Sequence, residues 1–265
     1  MKNVVAKKKF GQNFLKDESV LHEIIQAMPT SDRDIAEIGP GLGDLTRYLV
    51  KVKSVTAFEV DTDLCKHLQK EFNHEITTNS LTLECGDVLE NWQSELLDRD
   101  YDLVANLPYY IATTIILKAL ADPNCHNILV MVQKEVALKF AANVKEKVFS
   151  ALAVITQSLG HASIVVEVPP TAFEPQPKVD SAVLLIRKKS SRLVTNSDNS
   201  QSCSEEFEQM LRVAFTQPRK TLLKNLSQKY NKSDVLEIFK TLDFSLTIRP
   251  HEVCTKDYHQ LYKSL

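Results

Sequence analysis

A glycine-rich turn between two short apolar segments constrains the fold of this chain more than any other feature. The turn reads Gly-Pro-Gly-Leu-Gly at residues 39–43, it follows the apolar segment 34–38, and a helical pattern begins at Asp44. A second apolar segment, residues 55–60, follows that helix. An apolar strand, a glycine turn, a helix and another apolar strand together predict a βαβ unit with parallel strands.

The same alternation continues through further apolar segments at residues 81–85, 101–105 and 127–132. It predicts an α/β fold with a Rossmann-like parallel sheet covered by helices. The last apolar segment, 179–186, follows a proline-rich loop. Its hairpin with segment 162–168 is expected to give the sheet an antiparallel edge.

Three parts are predicted along the 265 residues. Residues 1–188 form the α/β domain with a basic N-terminal arm. Residues 189–205 are rich in Ser and Asn and form a linker. Residues 206–265 carry helical patterns and form a small all-α domain.

Four predicted strands end in glycine or polar residues, namely Gly39, Glu59, Asp87 and Asn106. The carboxyl ends of parallel strands meet at one edge of a sheet, where ligands bind in α/β folds. We therefore expect these residues to share one crevice. For Gly86-Asp87 taken alone, an ordinary turn is an equally good interpretation.

The glycine turn is compatible with two classes of cofactor. Dinucleotide sites favour the spacing GxGxxG, whereas this turn has GxGxG with Asp44 at the start of the helix. A carboxylate there repels a pyrophosphate but not a sulfonium, and Glu59 suits the hydroxyls of a ribose. The balance favours an adenosyl cofactor without phosphates, with a dinucleotide as the alternative.

The stretch Asn106-Leu107-Pro108-Tyr109 follows a buried strand and suits a planar heterocycle that carries an amine. The Asn106 amide oxygen and a main-chain carbonyl of the Leu107-Pro108 turn can accept hydrogen bonds from an NH2 group. The Tyr109 ring can stack on the face of the base, and Pro108 stiffens the turn. Taken alone, the stretch is also a common strand-to-helix turn.

Basic residues lie at both ends of the chain. The first 16 residues contain five lysines and no acids, and residues 187–265 contain 14 Lys and Arg against 9 Asp and Glu. We expect two surfaces that contact a polyanion, with Lys7, Lys8 and Lys9 on one and Arg219, Lys220 and Lys224 on the other. A solvated surface is the commoner explanation for any single lysine run.

Composition excludes several other classes of protein. Five scattered cysteines without a CxxC pair indicate reduced thiols, and no metal site is predicted. No apolar run is long enough to span a membrane, and no secretory signal follows the basic N-terminus. A cytoplasmic protein is expected.

Eight strings in order along the chain resemble the KsgA/Dim1 family of S-adenosylmethionine-dependent rRNA adenine N6,N6-dimethyltransferases. They are KKFGQNFL (8–15), EIGPGLGDLT (37–46), FEVD (58–61), GDVL (86–89), NLPYYI (106–111), MVQKEVA (131–137), VPPTAFEPQPKVDSAV (168–183) and RKTL (219–222). The resemblance implies a class I methyltransferase sheet, S-adenosyl-L-methionine as cofactor and small-subunit (16S) rRNA in the immature small ribosomal subunit as partner. It implies dimethylation of two adjacent adenosines in the 3'-terminal hairpin loop, by a protein expected to be monomeric.

The resemblance also implies a role for individual residues. Asn13 and Leu15 would close over the cofactor, and Gly39 and Gly41 would lie against its methionine part. Glu59 would hold the ribose hydroxyls and Asp87 the adenine amine. The catalytic stretch would be Asn106, Leu107, Pro108 and Tyr109, with Asn106 on the target amine and also next to the cofactor, and with Tyr109 and Phe173 stacking on the flipped adenine.

The chain departs from the family pattern in its RNA-contacting parts. Pro218 stands where the family has an arginine, Phe149-Ser150-Ala151 replaces a Tyr-Gly-Arg string, and Lys139 replaces an arginine. These departures concern RNA contact, because the cofactor strings are intact. The alternatives are a ribosome-assembly factor without activity, a dinucleotide-dependent oxidoreductase, and the sister family that methylates large-subunit rRNA.

Overall fold

The computed structural model describes residues 12–189 and 204–265. The predicted RNA contacts Lys7, Lys8 and Lys9 lie outside the described residues, as does most of the predicted linker. Contacts divide the chain into two compact units, Met1–Ala137 with Ser163–Ser190 and Leu138–Ala162 with Ser191–Leu265. The boundary expected from the sequence placed residues 138–162 with the first unit, whereas the contacts group them with the C-terminal helices.

Strands alternate with helices as the sequence predicts. The strands are β1 (Phe14–Leu15), β2 (Asp34–Ile38), β3 (Val55–Glu59), β4 (Leu81–Cys85), β5 (Tyr101–Asn106), β6 (Cys125–Gln133), β7 (Gly160–Val168), β8 (Phe173–Glu174) and β9 (Ser181–Lys188). The helices are α1 (Glu18–Ala27), α2 (Thr46–Leu49), α3 (Thr62–Glu71), α4 (Asn73–Thr77), α5 (Val88–Asn91), α6 (Ala112–Ala121), α7 (Lys134–Ala141), α8 (Ala151–Leu159), α9 (Glu205–Ala214), α10 (Leu222–Leu226), α11 (Lys232–Thr241) and α12 (Thr255–Ser264).

A seven-stranded sheet with the order β4-β3-β2-β5-β6-β9-β7 forms the first unit's centre. Strands β2 to β6 pair in parallel, and β9 pairs antiparallel with β6. The Rossmann-like sheet is therefore confirmed, with its antiparallel strand β9 next to the edge strand β7. Central strands such as β5 are buried along almost their whole length, which explains their mostly apolar sequence.

A second, two-stranded sheet joins the N-terminal arm to the proline-rich loop. Strand β1 pairs antiparallel with β8, with Phe14 opposite Glu174 and Leu15 opposite Phe173. The sequence analysis missed this sheet, because two-residue strands show no alternation of apolar and polar positions. A 3-10 helix, Pro170–Ala172, precedes β8 and fixes where the loop meets the arm.

One expectation about the cysteines is wrong. Cys65 of α3 and Cys85 of β4 form a disulfide, with their Cα atoms 6.2 Å apart. Parallel pairing places Cys85 opposite Glu59 at the end of β3, and α3 begins just after that strand. The fold thus joins two cysteines that have no motif spacing, whereas Cys125 and Cys254 are free thiols.

Helices make up most of the second unit. Phe207 of α9 stacks on His259 of α12, with ring centroids 4.4 Å apart. The buried Asn225 of α10 donates from its Nδ2 to the carbonyls of Ala214 and Gln217 at 2.7 and 3.1 Å, which fixes α10 against the end of α9. The predicted C-terminal helical part is present.

Across residues 12–189 and 204–265, none of the helices is both long and apolar enough to cross a membrane.

The buried carboxylate of Asp122 joins the loop after α5 to the start of β5 and β6. Its Oδ2 accepts hydrogen bonds from Trp92 Nε1 at 3.0 Å, Leu96 N at 2.7 Å and Tyr101 Oη at 2.8 Å. Its Oδ1 accepts from Asn124 N at 2.8 Å. Four donors are thus satisfied by one side chain that is fully buried.

Replacing Asp122 with alanine should strongly destabilise the first unit. The substitution leaves buried donors of Trp92, Leu96 and Tyr101 without an acceptor, so we expect the free energy of unfolding to fall by about 3 kcal/mol or more. Urea denaturation followed by circular dichroism measures it. Asp98→Ala is the control, since that side chain is 91% exposed and its loss should change stability by less than about 0.5 kcal/mol. Equal urea midpoints for Asp122→Ala and Asp98→Ala would contradict the stabilising role of the Asp122 carboxylate.

Candidate active site

An open cleft lies at the carboxyl edge of the parallel strands. All predicted cofactor residues line it, namely Asn13, Leu15, Gly39, Gly41, Glu59, Asp87 and Asn106, and so do Leu107, Pro108 and Tyr109. Phe173 is not among the lining residues. It is only 3% exposed and belongs to the apolar core together with Leu15, so its predicted stacking role stays a prediction.

The glycine turn brings main chain close to the cleft. Gly39 and Gly41 have φ angles of +72° and +63°, which residues with a Cβ rarely adopt. A Cβ on Gly41 would lie 3.1 Å from the Phe14 ring, and one on Gly39 would lie 3.4 Å from Pro108. The turn therefore packs against both the N-terminal arm and the Asn106–Tyr109 stretch.

Glu59 is held by main-chain donors on both of its carboxylate oxygens. Oε1 accepts from Asp61 N at 2.9 Å and Oε2 from Gly41 N at 3.2 Å. Burial raises the pKa of this carboxyl, and the two main-chain donors oppose that rise. Since each carboxylate oxygen has two lone pairs, a fixed Glu59 can still accept from two vicinal hydroxyls.

Glu37 is a second buried acid at the cleft, and the sequence analysis did not single it out. Its carboxyl accepts from the Thr46 hydroxyl at 2.7 Å and is 1% exposed. Burial raises its pKa to about 8, and the charge of the nearby Glu59 contributes to that rise. An acid inside an otherwise apolar strand, two residues before the glycine turn, was the available signal.

Asp87 lies where the sequence placed it, at the end of β4 and the start of α5. It caps α5, and its Oδ1 accepts from Leu89 N at 2.9 Å. The capping bond holds the carboxylate at the cleft, and its remaining acceptor capacity suits an amine. Tyr110, which is 60% exposed, lines the cleft beside it. Partial burial raises the pKa of Tyr110, and the charges of Asp87 and Glu59 add to that rise.

The Asn106 side chain is oriented by the N-terminal arm. Its Nδ2 donates to the main-chain carbonyl of Asn13 at 3.3 Å, which assigns the other end of the amide as the acceptor. The arm is held in turn by the ion pair of Lys16 and Asp44 at 2.7 Å. Lys16 partly neutralises the Asp44 carboxylate, whose negative charge was the argument against a pyrophosphate. Asp44 therefore distinguishes an adenosyl cofactor from a dinucleotide less well than the sequence implied.

Tyr109 is half-buried, and its hydroxyl lies 2.6 Å from Ser181 Oγ. Burial raises the pKa of the Tyr109 phenol, so the ring is neutral at physiological pH. The preceding turn is tied to the sheet, because Leu107 N donates to Met131 O at 3.1 Å. The ring is thus fixed at both ends.

The candidate RNA contacts of the second unit are exposed. Arg219 and Lys220 lie in the turn before α10, Thr221 caps that helix, and Lys224 is on its surface. Exposure and charge of this kind suit a phosphate backbone, and contact with RNA stays a prediction.

Comparison with known proteins identifies the family. The family model for ribosomal RNA adenine dimethylase matches residues 3–265. The chain is 67% identical over 263 residues to ribosomal RNA small subunit methyltransferase A of Sulfurimonas denitrificans, covering 99% of this chain and 95% of that protein. It is 49% identical over 265 residues to the protein of the same name from Aliarcobacter butzleri, with coverages of 99% and 97%.

Two solved structures are similar over nearly the whole chain. A dimethyladenosine transferase from Plasmodium falciparum has a TM-score of 0.76 at 26% identity, covering 93% of this chain and 95% of that one. The 23S rRNA methyltransferase ErmE has a TM-score of 0.70 at 25% identity, with coverages of 96% and 99%. The family model and the 67% identical relative both cover nearly the whole chain. The chain therefore belongs to the ribosomal RNA adenine dimethylase family.

Proposed function

We propose that this protein dimethylates the N6 amines of two adjacent adenosines in the 3'-terminal hairpin loop of small-subunit rRNA, with S-adenosyl-L-methionine as methyl donor. It acts as a monomer in the cytoplasm, on the immature small ribosomal subunit. One observation carries the proposal, which is the convergence of Gly39, Glu59, Asp87 and Asn106–Tyr109 on one cleft in a chain 67% identical to a small-subunit methyltransferase.

The cleft suits an adenosyl cofactor. Gly39 and Gly41 line the cleft with main chain that can lie against the methionine part, and Glu59 can accept from the ribose hydroxyls. Asp87 can accept from the adenine amine, while Asn13 and Leu15 cover the cleft from the arm. The buried acids Glu37 and Glu59 favour a ligand with positive charge, and a sulfonium cofactor carries one.

Asn106 is proposed to orient the target amine. The lone pair of an adenine N6 is delocalised into the ring, so the amine is a poor nucleophile. The Asn106 amide oxygen and a main-chain carbonyl of the Leu107–Pro108 turn accept hydrogen bonds from the two N–H groups of the amine. These hydrogen bonds point the lone pair at the methyl group that the cofactor supplies. Positioning of this kind can contribute roughly 7 to 11 kcal/mol, and the proton leaves after methyl transfer.

The target base must leave its stack to reach the cleft, at a cost of a few kcal/mol. A hairpin loop lowers that cost, and the Tyr109 ring, with Phe173 as the proposed second ring, stabilises the flipped base. The greater identity to small-subunit enzymes than to the 23S enzyme, 67% against 25%, favours the small subunit. The basic residues Arg219, Lys220 and Lys224 bind the rRNA backbone.

Activity on purified subunits tests the proposal directly. Immature small subunits from cells lacking this gene should accept tritiated methyl groups from S-adenosylmethionine, and mass spectrometry should locate them on two adjacent adenosines. Large subunits are the control for the sister activity. If the small subunits remain unmethylated, the protein is an assembly factor without activity. If it binds NAD in place of S-adenosylmethionine, it is an oxidoreductase.

Asn106→Ala should abolish turnover while cofactor binding persists. The variant removes an acceptor for the target amine, so we expect kcat to fall by at least about 100-fold, measured with tritiated cofactor. The dissociation constant of S-adenosylmethionine, from calorimetry, should change only a few-fold. Asn73→Ala is the control, because Asn73 is exposed on α4 and outside the cleft. Near-normal methylation by Asn106→Ala would overturn the proposed mechanism.

The affinity for S-adenosylmethionine should rise with pH up to about 8. Below that pH the Glu37 carboxyl, whose pKa burial raises to about 8, is mostly protonated, and a cationic ligand must displace the proton. The affinity therefore increases by up to about tenfold per pH unit and then levels off. Calorimetry from pH 6 to 9 measures this, and Glu37→Gln should flatten the dependence. S-adenosylhomocysteine, which lacks the sulfonium, should show a weaker dependence, and identical profiles for both ligands would contradict the role of Glu37.

Replacing Arg219, Lys220 and Lys224 together with alanine should weaken rRNA binding and its salt dependence. The slope of log affinity against log salt should become shallower by about 2 to 3, measured by filter binding, with cofactor affinity unchanged. The control replaces three exposed lysines of α11 and α12, Lys240, Lys256 and Lys263, and changes net charge equally. Equal losses in both triple variants would show that net charge, and not this patch, determines binding.

A further inference from the structure

The antiparallel strand β9 begins at the cleft edge of the sheet. Ser181, its first residue, pairs with Gln133 at the end of β6. In the same sheet Met131 of β6 pairs with Asn106 of β5 on one side and with Val183 of β9 on the other. Because β9 runs opposite to its neighbour, its start lies where the parallel strands end. This geometry brings Ser181 to the edge that carries the Asn106–Tyr109 stretch.

The contact between Ser181 and Tyr109 is short and protected from water. Ser181 Oγ lies 2.6 Å from the Tyr109 hydroxyl, and either oxygen can donate. Ser181 is fully buried, whereas Tyr109 is half-buried and lines the cleft. The hydrogen bond therefore joins Ser181, which is fixed in the sheet, to the ring of Tyr109, which directly follows Pro108.

The hydrogen bond between Ser181 and Tyr109 restricts rotation of the Tyr109 ring, whose orientation determines whether it can stack on a base. Pro108 and the Leu107–Met131 hydrogen bond fix the backbone before Tyr109, but the ring can still swing about its side-chain torsions, where χ2 of Tyr is broad. A hydrogen bond at the far end of the ring holds it in one place. A stacking surface that is already oriented loses less conformational entropy when the base arrives.

We propose that Ser181 is a positioning residue for the target purine, which fixes the Tyr109 ring through its hydroxyl so that the flipped base meets a preformed stacking surface. The inference rests on the proposed function, since it needs Tyr109 to stack on the base. It gives the antiparallel strand β9 a role in the reaction, although Ser181 touches neither the base nor the cofactor.

The test is a double-mutant cycle with Ser181→Ala and Tyr109→Phe, each of which removes the hydrogen bond and keeps the ring. Each single variant should lower kcat on unmethylated small subunits by about fivefold, after correction for the fraction of protein that binds cofactor. The double variant should be no worse than either single variant, because the two substitutions remove the same bond. Affinity for S-adenosylmethionine should stay unchanged in all three.

A spectroscopic measurement separates positioning from stability. A hairpin RNA with 2-aminopurine at the target position reports the environment of the flipped base, and its fluorescence on binding should be quenched less by Ser181→Ala than by the unchanged protein. Ser31→Ala is the matched control, because the Ser31 hydroxyl also makes a 2.6 Å hydrogen bond, to Asp102, at the opposite end of the sheet. That variant should leave the fluorescence unchanged.

Tyr109→Ala distinguishes failure of the inference from failure of the proposed function. Normal kcat in Tyr109→Ala would remove the stacking role and with it the inference, while leaving the proposed function standing. Absence of methylation by the unchanged protein would overturn the proposed function itself. A large loss in Tyr109→Ala together with normal kcat and fluorescence in Ser181→Ala would overturn only the role of Ser181. Independent losses that multiply in the Ser181→Ala and Tyr109→Phe double variant would also overturn it.

Discussion

Parallel pairing of β2, β3, β4 and β5 is the constraint on which the whole site depends. The pairing has a fixed register, with Glu37 opposite Ala57 and Glu59 opposite Cys85, so every strand end arrives at the same edge. Residues from four separate turns thereby become neighbours without any local sequence signal that links them. The apolar strands fix this arrangement, because the central ones are buried along nearly their whole length.

Charge is distributed unevenly between the parts of the chain. The cleft holds buried acids at Glu37 and Glu59, whose raised pKa values reflect the cost of a buried negative charge, and neutral groups at Asn106 and Tyr109. The exposed basic residues Arg219, Lys220 and Lys224 lie in the other unit, at the start of α10 and on its surface. The surface proposed for a positively charged small ligand and the one proposed for a polyanion thus carry different charges, so each suits only one of the two ligands.

The sequence predicted the fold and most cleft residues because both follow from strong local signals. Segments 34–38 and 81–85 match β2 and β4 in both bounds, and the strand-end residues Gly39, Glu59, Asp87 and Asn106 line one cleft. The rest depends on contacts between distant segments. The bond of Tyr109 to Ser181, the disulfide of Cys65 and Cys85, and the pairing of β1 with β8 all join residues whose spacing carries no motif. The grouping of residues 138–162 with the C-terminal helices is likewise decided by packing.

The pairing of β1 with β8 makes the arm segment that lines the cleft and the proline-rich loop a single folded piece. Leu15, which lines the cleft, lies opposite Phe173 in the ladder. A deletion of one residue in the arm would turn every following side chain of β1 to the other face of that ladder. Arm and loop can therefore change in sequence only together, and a chimaera that takes the arm from one family member and the loop from another must preserve their register.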